Sequence, residues 1–260
     1  MNRLASIVML IAAFGLVYTA HAQDENNFYD EFQKYAEDKL DEVAKPIVQA
    51  FSAGVNSGMY YTAKTHSTLG FDIGIRTMMV FIPDGESAIL DSADVSLFPV
   101  PVIQASVGLL MDIDLTVRGF AIKFDDETIS LYGAGLKKNL KPFIPVPQFP
   151  SLSAALSYHQ FKAGDILKSS HFSMSVLASK SFIFVTPYIG VAYDINSMTF
   201  EYDYEAEGLD PIPIEQTIKA NSARLTLGLT ISPFPFVKIF GDYNIGTFNE
   251  VTAGLAVSIR

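Results

Sequence analysis

The sequence predicts an all-β protein: an antiparallel transmembrane barrel of about 10 strands, bracketed between roughly 8 and 12, behind an N-terminal amphipathic helix. Three observations carry this expectation. After Gly58, apolar residues recur at period two almost to the end of the chain. Hydrophobic residues make up 49% of the sequence and mean hydropathy is +0.26, yet no stretch beyond Val17 has the length and apolarity of a spanning helix. Several of the alternating stretches also match the ~9–11 residues a tilted strand needs to cross a bilayer, rather than the ~5–6 usual in soluble sheets.

The first residues set the compartment. Met1-Asn2-Arg3 is a short basic region, residues 4–17 are unbroken apolar, and Ala20-His21-Ala22 is a small-x-small cleavage site. Residues 1–22 are therefore read as a secretory signal peptide, because about 14 apolar residues fall short of the ~20 of a spanning helix. The expected location is the outer membrane of a Gram-negative bacterium. The chain contains no cysteine, so an exported protein of this kind must rest on packing or on a closed sheet, without disulfides or a cysteine-linked lipid. With 28 acidic against 18 basic residues and a net charge of −10, nucleic acid is excluded as a partner, since phosphate binding needs clustered Lys and Arg. Tyrosine (12) and phenylalanine (20) are plentiful and tryptophan is absent, so an aromatic girdle would have to be built without it.

Residues 23–57 read as an acidic amphipathic helix, with Phe28, Phe32, Tyr35, Leu40, Val43, Ile47, Phe51 and Val55 at helical spacing. Asn26 or Asn27 can cap it, and Asp30 and Glu31 suit the positive end of its dipole. Pro46 is expected to kink or divide it. Eight acids and three lysines between Asp24 and Lys45 would be repelled by an anionic bilayer. The helix is thus expected either to pack on the barrel end or to plug the pore.

Residues 58–260 carry the barrel. Expected strands are 58–64, 66–81, 111–124, 127–138, 151–162, 169–179, 184–204, 214–231, 236–245 and 250–260, with 94–106 a further extended candidate. Alternation is clearest in Phe71/Ile73/Ile75, Ile113/Leu115/Val117, Ile189/Val191/Tyr193/Ile195, Met198/Phe200/Tyr202/Tyr204, Leu225/Leu227/Leu229/Ile231 and Val251/Ala253/Leu255/Val257/Ile259. The prolines at 99/101, 142/145/147/150, 211/213 and 233/235 are expected in connections, because proline cannot serve a central ladder. If the apolar positions face lipid, Asp72, Arg76, Asp112, Asp114, Arg118, Glu201, Asp203, Arg224, Lys238 and Asp242 point into the lumen or its mouths. Such charges either line a conducting or ligand-binding lumen or pair off to fill a narrow one.

Catalytic motifs are lacking. His66, His159 and His171 have no zinc-ligand spacing, no G-x-S-x-G elbow occurs, and Gly133-Ala134-Gly135 lacks the strand-to-helix setting of a phosphate loop. No metal or cofactor is expected.

The order of elements resembles an uncharacterised family of bacterial outer-membrane β-barrel proteins, a domain of unknown function. The resemblance is carried by Gly54-Val55-Asn56-Ser57-Gly58-Met59-Tyr60-Tyr61-Thr62-Ala63, Leu69-Gly70-Phe71-Asp72-Ile73 and Phe98-Pro99-Val100-Pro101. It continues with Ala105-Ser106-Val107-Gly108, Val117-Arg118-Gly119-Phe120, Ser179-Lys180-Ser181 and Thr186-Pro187-Tyr188-Ile189-Gly190. It implies a barrel in the outer membrane and brings no activity or site residue. Plugged barrels that transport hydrophobic compounds are similar in architecture only. The expected function is a channel or uptake barrel for small or hydrophobic molecules, with the helix as plug. The alternatives are a structural or interaction barrel with a packed interior, and a lipid-modifying enzyme. Expected partners are outer-membrane lipid and lipopolysaccharide, the barrel-assembly machinery, and a small or hydrophobic solute.

Overall fold

Period-two alternation is realised as ten antiparallel strands closed into one barrel. The computed structural model describes residues 37–86, 90–91, 95–124, 127–143, 149–164, 167–204 and 212–259. The expected signal peptide, the first part of the expected helix and the segment 205–211 lie outside the described residues. Helix α1 (Glu37–Asn56) comes first. The strands follow as β1 (Phe71–Phe81), β2 (Leu97–Leu109), β3 (Ile113–Phe124), β4 (Glu127–Asn139), β5 (Ser151–Ala163), β6 (Leu167–Ser179), β7 (Val185–Tyr204), β8 (Ile212–Phe234), β9 (Val237–Ile245) and β10 (Glu250–Ile259). Each strand pairs with its sequence neighbours, and β1 closes on β10 through Phe71↔Ile259 to Val80↔Glu250. Closure gives every strand a partner on both sides over at least part of its length, which is how a β-structure satisfies most of its backbone in lipid. We call the end where β1 begins and β10 finishes the base, and the opposite end the top.

Besides Pro213 and Pro233, which fall just inside the two ends of β8 rather than in connections, four sequence expectations need correction. Residues 58–64 form no strand; they run inside the barrel, where inward-pointing side chains take over the ladder's role as hydrogen-bond partners. The strand they displaced from the count is β2, and Pro99 and Pro101 lie within it, opposite Met79 and Thr77 of β1. This is tolerated because β2 is paired with β3 only from Ile103 to Leu109, so Leu97 to Val102 has an open side. Helix α1 runs through Pro46 as one element, with Ala44, Ile47, Val48, Ala50 and Phe51 all buried on either side of it. That shared packing offsets the roughly 3 kcal/mol a mid-helix proline costs. Finally, Met198 is 1% exposed, so the stripe it begins does not continue the outward stripe of Ile189 to Ile195. Pairing through β7 has no register shift, so the two stripes lie on opposite faces of one strand.

The reversal at Met198 has a cause. Toward the top, inward positions are apolar: Met78 and Val80 on β1, Phe98, Val100 and Val102 on β2, Ile129 and Leu131 on β4, Phe161 on β5, Met198 on β7 and Ile218 on β8. They form one core with Ala44, Ile47, Val48, Ala50, Phe51 and Val55 of α1, so the helix lies in the lumen. Phe51 packs its ring 4.5 Å from that of Phe161 and 5.6 Å from that of Phe98. Apolar side chains cover the outer face as well, at Ile73, Ile75, Ile103, Val117, Leu156, Val176, Val191, Leu229, Ile239 and Leu255.

Candidate functional site

Below the apolar layer the chain leaves α1 and descends to the base through residues 57–70. A helix ends with carbonyls that have no intrahelical partner and with the negative pole of its dipole. Three inward arginines meet that end. Arg118 donates from Nη1 to the Ser57 carbonyl at 2.7 Å and from Nη2 to the Val55 carbonyl, while Nε donates to His159 Nε2 at 2.9 Å. Arg224 donates to the Asn56 carbonyl at 3.2 Å. Arg76 donates to the carbonyls of Gly58 at 2.5 Å and Met59 at 3.1 Å, and stacks 4.9 Å over the Phe240 ring. Gln104 adds a bond to the Met59 carbonyl at 2.9 Å. Gly58 takes φ +64°, which glycine adopts without strain as the chain turns out of the helix.

Space for this descent comes partly from inward glycines. A Cβ on Gly133 would lie 1.9 Å from His159 Cδ2, so β4 must be bare there for the imidazole to lie flat on the wall. Further down, Thr230 donates to the Tyr61 carbonyl at 2.6 Å, and Tyr61 donates to Asp72 at 2.8 Å. Lys137 donates to the Lys64 carbonyl at 2.8 Å and lies 3.2 Å from Asp114. His66 sits between Asp114 (3.1 Å from Nδ1) and Asp72 (3.2 Å from Nε2), and its backbone N–H also donates to Asp114. Burial raises the Tyr60 phenol above its ordinary range, so Tyr60 is neutral here. Among the described residues, one void beside the descending chain is about 30 Å³, bordered by Asn56, Gly58 and Met59, and another near His66 is about 10 Å³. Each has room for about one or two waters.

The ten charged candidates separate by position. Asp72, Arg76, Asp114, Arg118 and Asp242 are buried, and Arg224 has 9% of its side chain exposed. Five of these six bond to residues 55–66, while Asp242 instead accepts from Tyr188 at 2.7 Å and from Asn244 at 2.5 Å. Asp112 instead lies exposed in the β2–β3 turn at φ 54°. Lys238 lies at the β8–β9 turn, donating to the Pro235 carbonyl and Ser232 at 3.0 Å. Glu201 and Asp203 fall in β7, but their side chains lie outside the described residues.

Several buried partners were missed by the sequence reading: Gln104, Lys137, His159, His171, Asp194, Asn196, Asn244 and Glu250. Asp194 was findable, since it interrupts Tyr193 and Ile195 at a polar position of the alternation. Ser169, His171 and Asn196 form a relay, with Ser169 Oγ 2.8 Å from His171 Nε2 and His171 Nδ1 3.0 Å from Asn196 Oδ1. A nucleophile, base and orienting group have this order, but here the Phe51 ring covers the imidazole at 5.8 Å and Asn56 also donates to Asn196 at 2.8 Å. The relay is thus part of how α1 packs. Among the described residues no group of three or more His, Asp or Glu is placed to hold a metal ion.

Comparison with known proteins gives a family. A family model described as a family of unknown function, DUF6588, matches residues 1–89 and 86–259. No curated protein matches the chain. Among solved structures, the KdgM porin is similar at 12% identity over 73% of this chain and 99% of its own, with a TM-score of 0.36. The outer membrane protease OmpT from Escherichia coli is similar at 11% identity over 78% and 99%, with a TM-score of 0.42. Ail, the attachment invasion locus protein of Yersinia pestis, is similar at 10% identity over 74% and 99%, with a TM-score of 0.31. Likeness at this level carries no argument about activity or location.

Proposed function

Because the chain belongs to the DUF6588 family, whose function is unknown, we propose a function from the barrel itself: an uptake barrel for apolar solutes in the outer membrane of a Gram-negative bacterium, shut at rest by α1 and residues 57–70. Membrane insertion is supported by the outward face. Exposed Ile, Leu, Val, Met, Phe and Tyr side chains occur on every strand, a surface that a soluble barrel would have to hide. At the base the turns are apolar too, with Leu110 and Met111, Phe182 to Phe184, and Phe234 and Phe236 all exposed, as suits a membrane interface.

The observation that carries the uptake reading is the apolar layer inside the barrel. A lumen that serves only water and ions has no use for inward Met78, Val80, Val100, Leu131, Phe161 and Ile218. Helix α1 fills the layer with its own apolar face, as an apolar solute would after the helix moves. A second reading, a solid structural or interaction barrel, is favoured by the small size of the two voids beside residues 56–66, about 30 and 10 Å³.

A tether separates the two readings. The chain has no cysteine, and a Cβ on Gly54 would lie 3.7 Å from that of Val100, within the ~3.5–4.5 Å a disulfide spans. The variant Gly54→Cys/Val100→Cys can therefore pin α1 to β2 reversibly. In proteoliposomes, the reduced variant is expected to take up N-phenylnaphthylamine saturably. Oxidation should cut that uptake at least about tenfold, and dithiothreitol should restore it. Absence of saturable uptake in both redox states would leave the solid barrel standing and remove the uptake reading.

A further inference from the structure

Beside the helix, the wall of the barrel is not fully zipped. Among the described pairs of neighbours, β2 and β3 alone both continue past their last shared rung: pairing stops at Ile103↔Gly119, yet β2 runs on to Leu97 and β3 to Phe124. Elsewhere pairing lapses where one strand simply ends, as beside β8 above Ile245. On its other side β2 stays paired to β1 as far as Leu97↔Phe81.

The direction of the backbone groups explains the gap. Along a strand, successive residues turn their N–H and C=O to opposite neighbours. Gly108 donates to the Gly70 carbonyl at 2.8 Å and accepts from Leu69 at 2.9 Å, and the Ser96 carbonyl accepts from Ile82 at 2.9 Å. Even-numbered residues of β2 therefore face β1, and Leu97, Pro99 and Pro101 face β3. Two of the three residues on this edge have no N–H to offer. A bare ladder edge in lipid costs several kcal/mol per unsatisfied group, and the prolines remove two donors that would otherwise be stranded. The gap is thus built to stay unpaired.

Its inner side opens on the apolar layer. Phe98, Val100 and Val102 point inward from β2, and Phe120 of β3 packs against the same core. Helix α1 reaches the gap at Gly54, where a Cβ would lie 2.8 Å from Val100 and 3.0 Å from Val80. Ile122 has the strand parity of inward Arg118 and Phe120, yet it is 45% exposed. Lys123, which continued pairing would set opposite Pro99, is exposed at the upper end of the gap. At about 3.3 Å per residue the open edge is roughly 20 Å long. It is a slit with apolar lips and a cation at one end.

We infer that this slit is a lateral passage through which a single-chain anionic amphiphile, of the fatty-acid type, moves between the bilayer and the apolar layer in the lumen. The inference rests on the uptake reading and adds the route and the substrate class: the chain slides past Pro99 and Pro101 while its carboxylate stays near Lys123.

The test uses a photoactivatable fatty acid dissolved in phospholipid vesicles that hold the full-length barrel, with cross-links mapped by mass spectrometry. The expected result is labelling of α1 around Val48 to Val55 and of Phe120 in the native protein. In Pro99→Val/Pro101→Val, which returns two donors to the edge and lets the ladder close, that labelling should fall at least fivefold. Label confined to outward Ile75, Ile103 and Val117 in the native protein overturns the passage, as does equal labelling of α1 in both proteins. If the variant does not fold, as judged by loss of heat-modifiable gel migration, the native labelling pattern decides alone. Failure of the uptake reading shows separately, as absence of saturable N-phenylnaphthylamine uptake by the reduced tether variant. Failure of the passage alone shows as uptake with α1 unlabelled from the bilayer.

Discussion

A protein carrying Arg76→Met and Arg118→Met is expected to conduct ions in planar bilayers under conditions where the native barrel is shut. The two guanidiniums donate four hydrogen bonds to carbonyls between Val55 and Met59. Hydrogen bonds from charged donors contribute about 1.5–3 kcal/mol each in folded proteins. Methionine keeps much of the stem volume, so the change removes donors more than packing. Taking the lower figure, and allowing that released carbonyls find water, the closed state loses about 4 kcal/mol, roughly a thousandfold in the ratio of closed to open forms. Arginine suits this task because it stays charged when buried and its planar fork reaches two acceptors at once. Heat-modifiable gel migration checks that the barrel itself has folded. A folded double variant as silent as the native protein would show that the arginines do not hold the segment in place.

That grip also marks the limit of what the sequence discloses. Arg76, Arg118 and Arg224 could be found from alternation alone, since each interrupts an outward stripe such as Phe71/Ile73/Ile75. Their acceptors are backbone carbonyls, which every residue carries, so no side-chain pattern announces them. The same blindness produced the error over residues 58–64, where Tyr60, Tyr61 and Thr62 favour a strand but the carbonyls of Met59, Tyr61 and Thr62 are spent on Arg76, Thr230 and Lys137. It was compensated by the opposite error at β2. The prolines at 99 and 101 suggest a turn under the rule that a central strand is paired on both sides, and β2 is paired on one side only there. The total of ten strands was therefore reached with one wrong member. Met198 shows a third limit. Period two tells which residues share a face, but lipid and an apolar helix in the lumen ask for the same side chains, so the pattern cannot say which face is inside.

Arg224 should behave differently from the other two arginines, because it answers to carboxylates as well as to a carbonyl. Its Nε lies 3.2 Å from Asp194 and 4.0 Å from Glu250, two side chains that are 2% and 1% exposed. Replacing it by methionine leaves two buried acids facing each other without their shared cation. Removing one partner of a buried ion pair costs about 3–5 kcal/mol, since the remaining charge has lost its compensation but not its burial. Arg224→Met is therefore expected to lower the temperature at which the heat-modifiable band is lost, and to reduce the yield of folded barrel in detergent. The triple variant Arg224→Met/Asp194→Asn/Glu250→Gln, which removes the acids' charge together with the cation, should recover most of that loss. A single variant that melts like the native protein, or a triple variant no better than the single, would refute this account of the cluster. The contrast with Arg76→Met/Arg118→Met then separates two duties that the three arginines share unequally: holding the helix end shut, and balancing the charge of the wall that surrounds it.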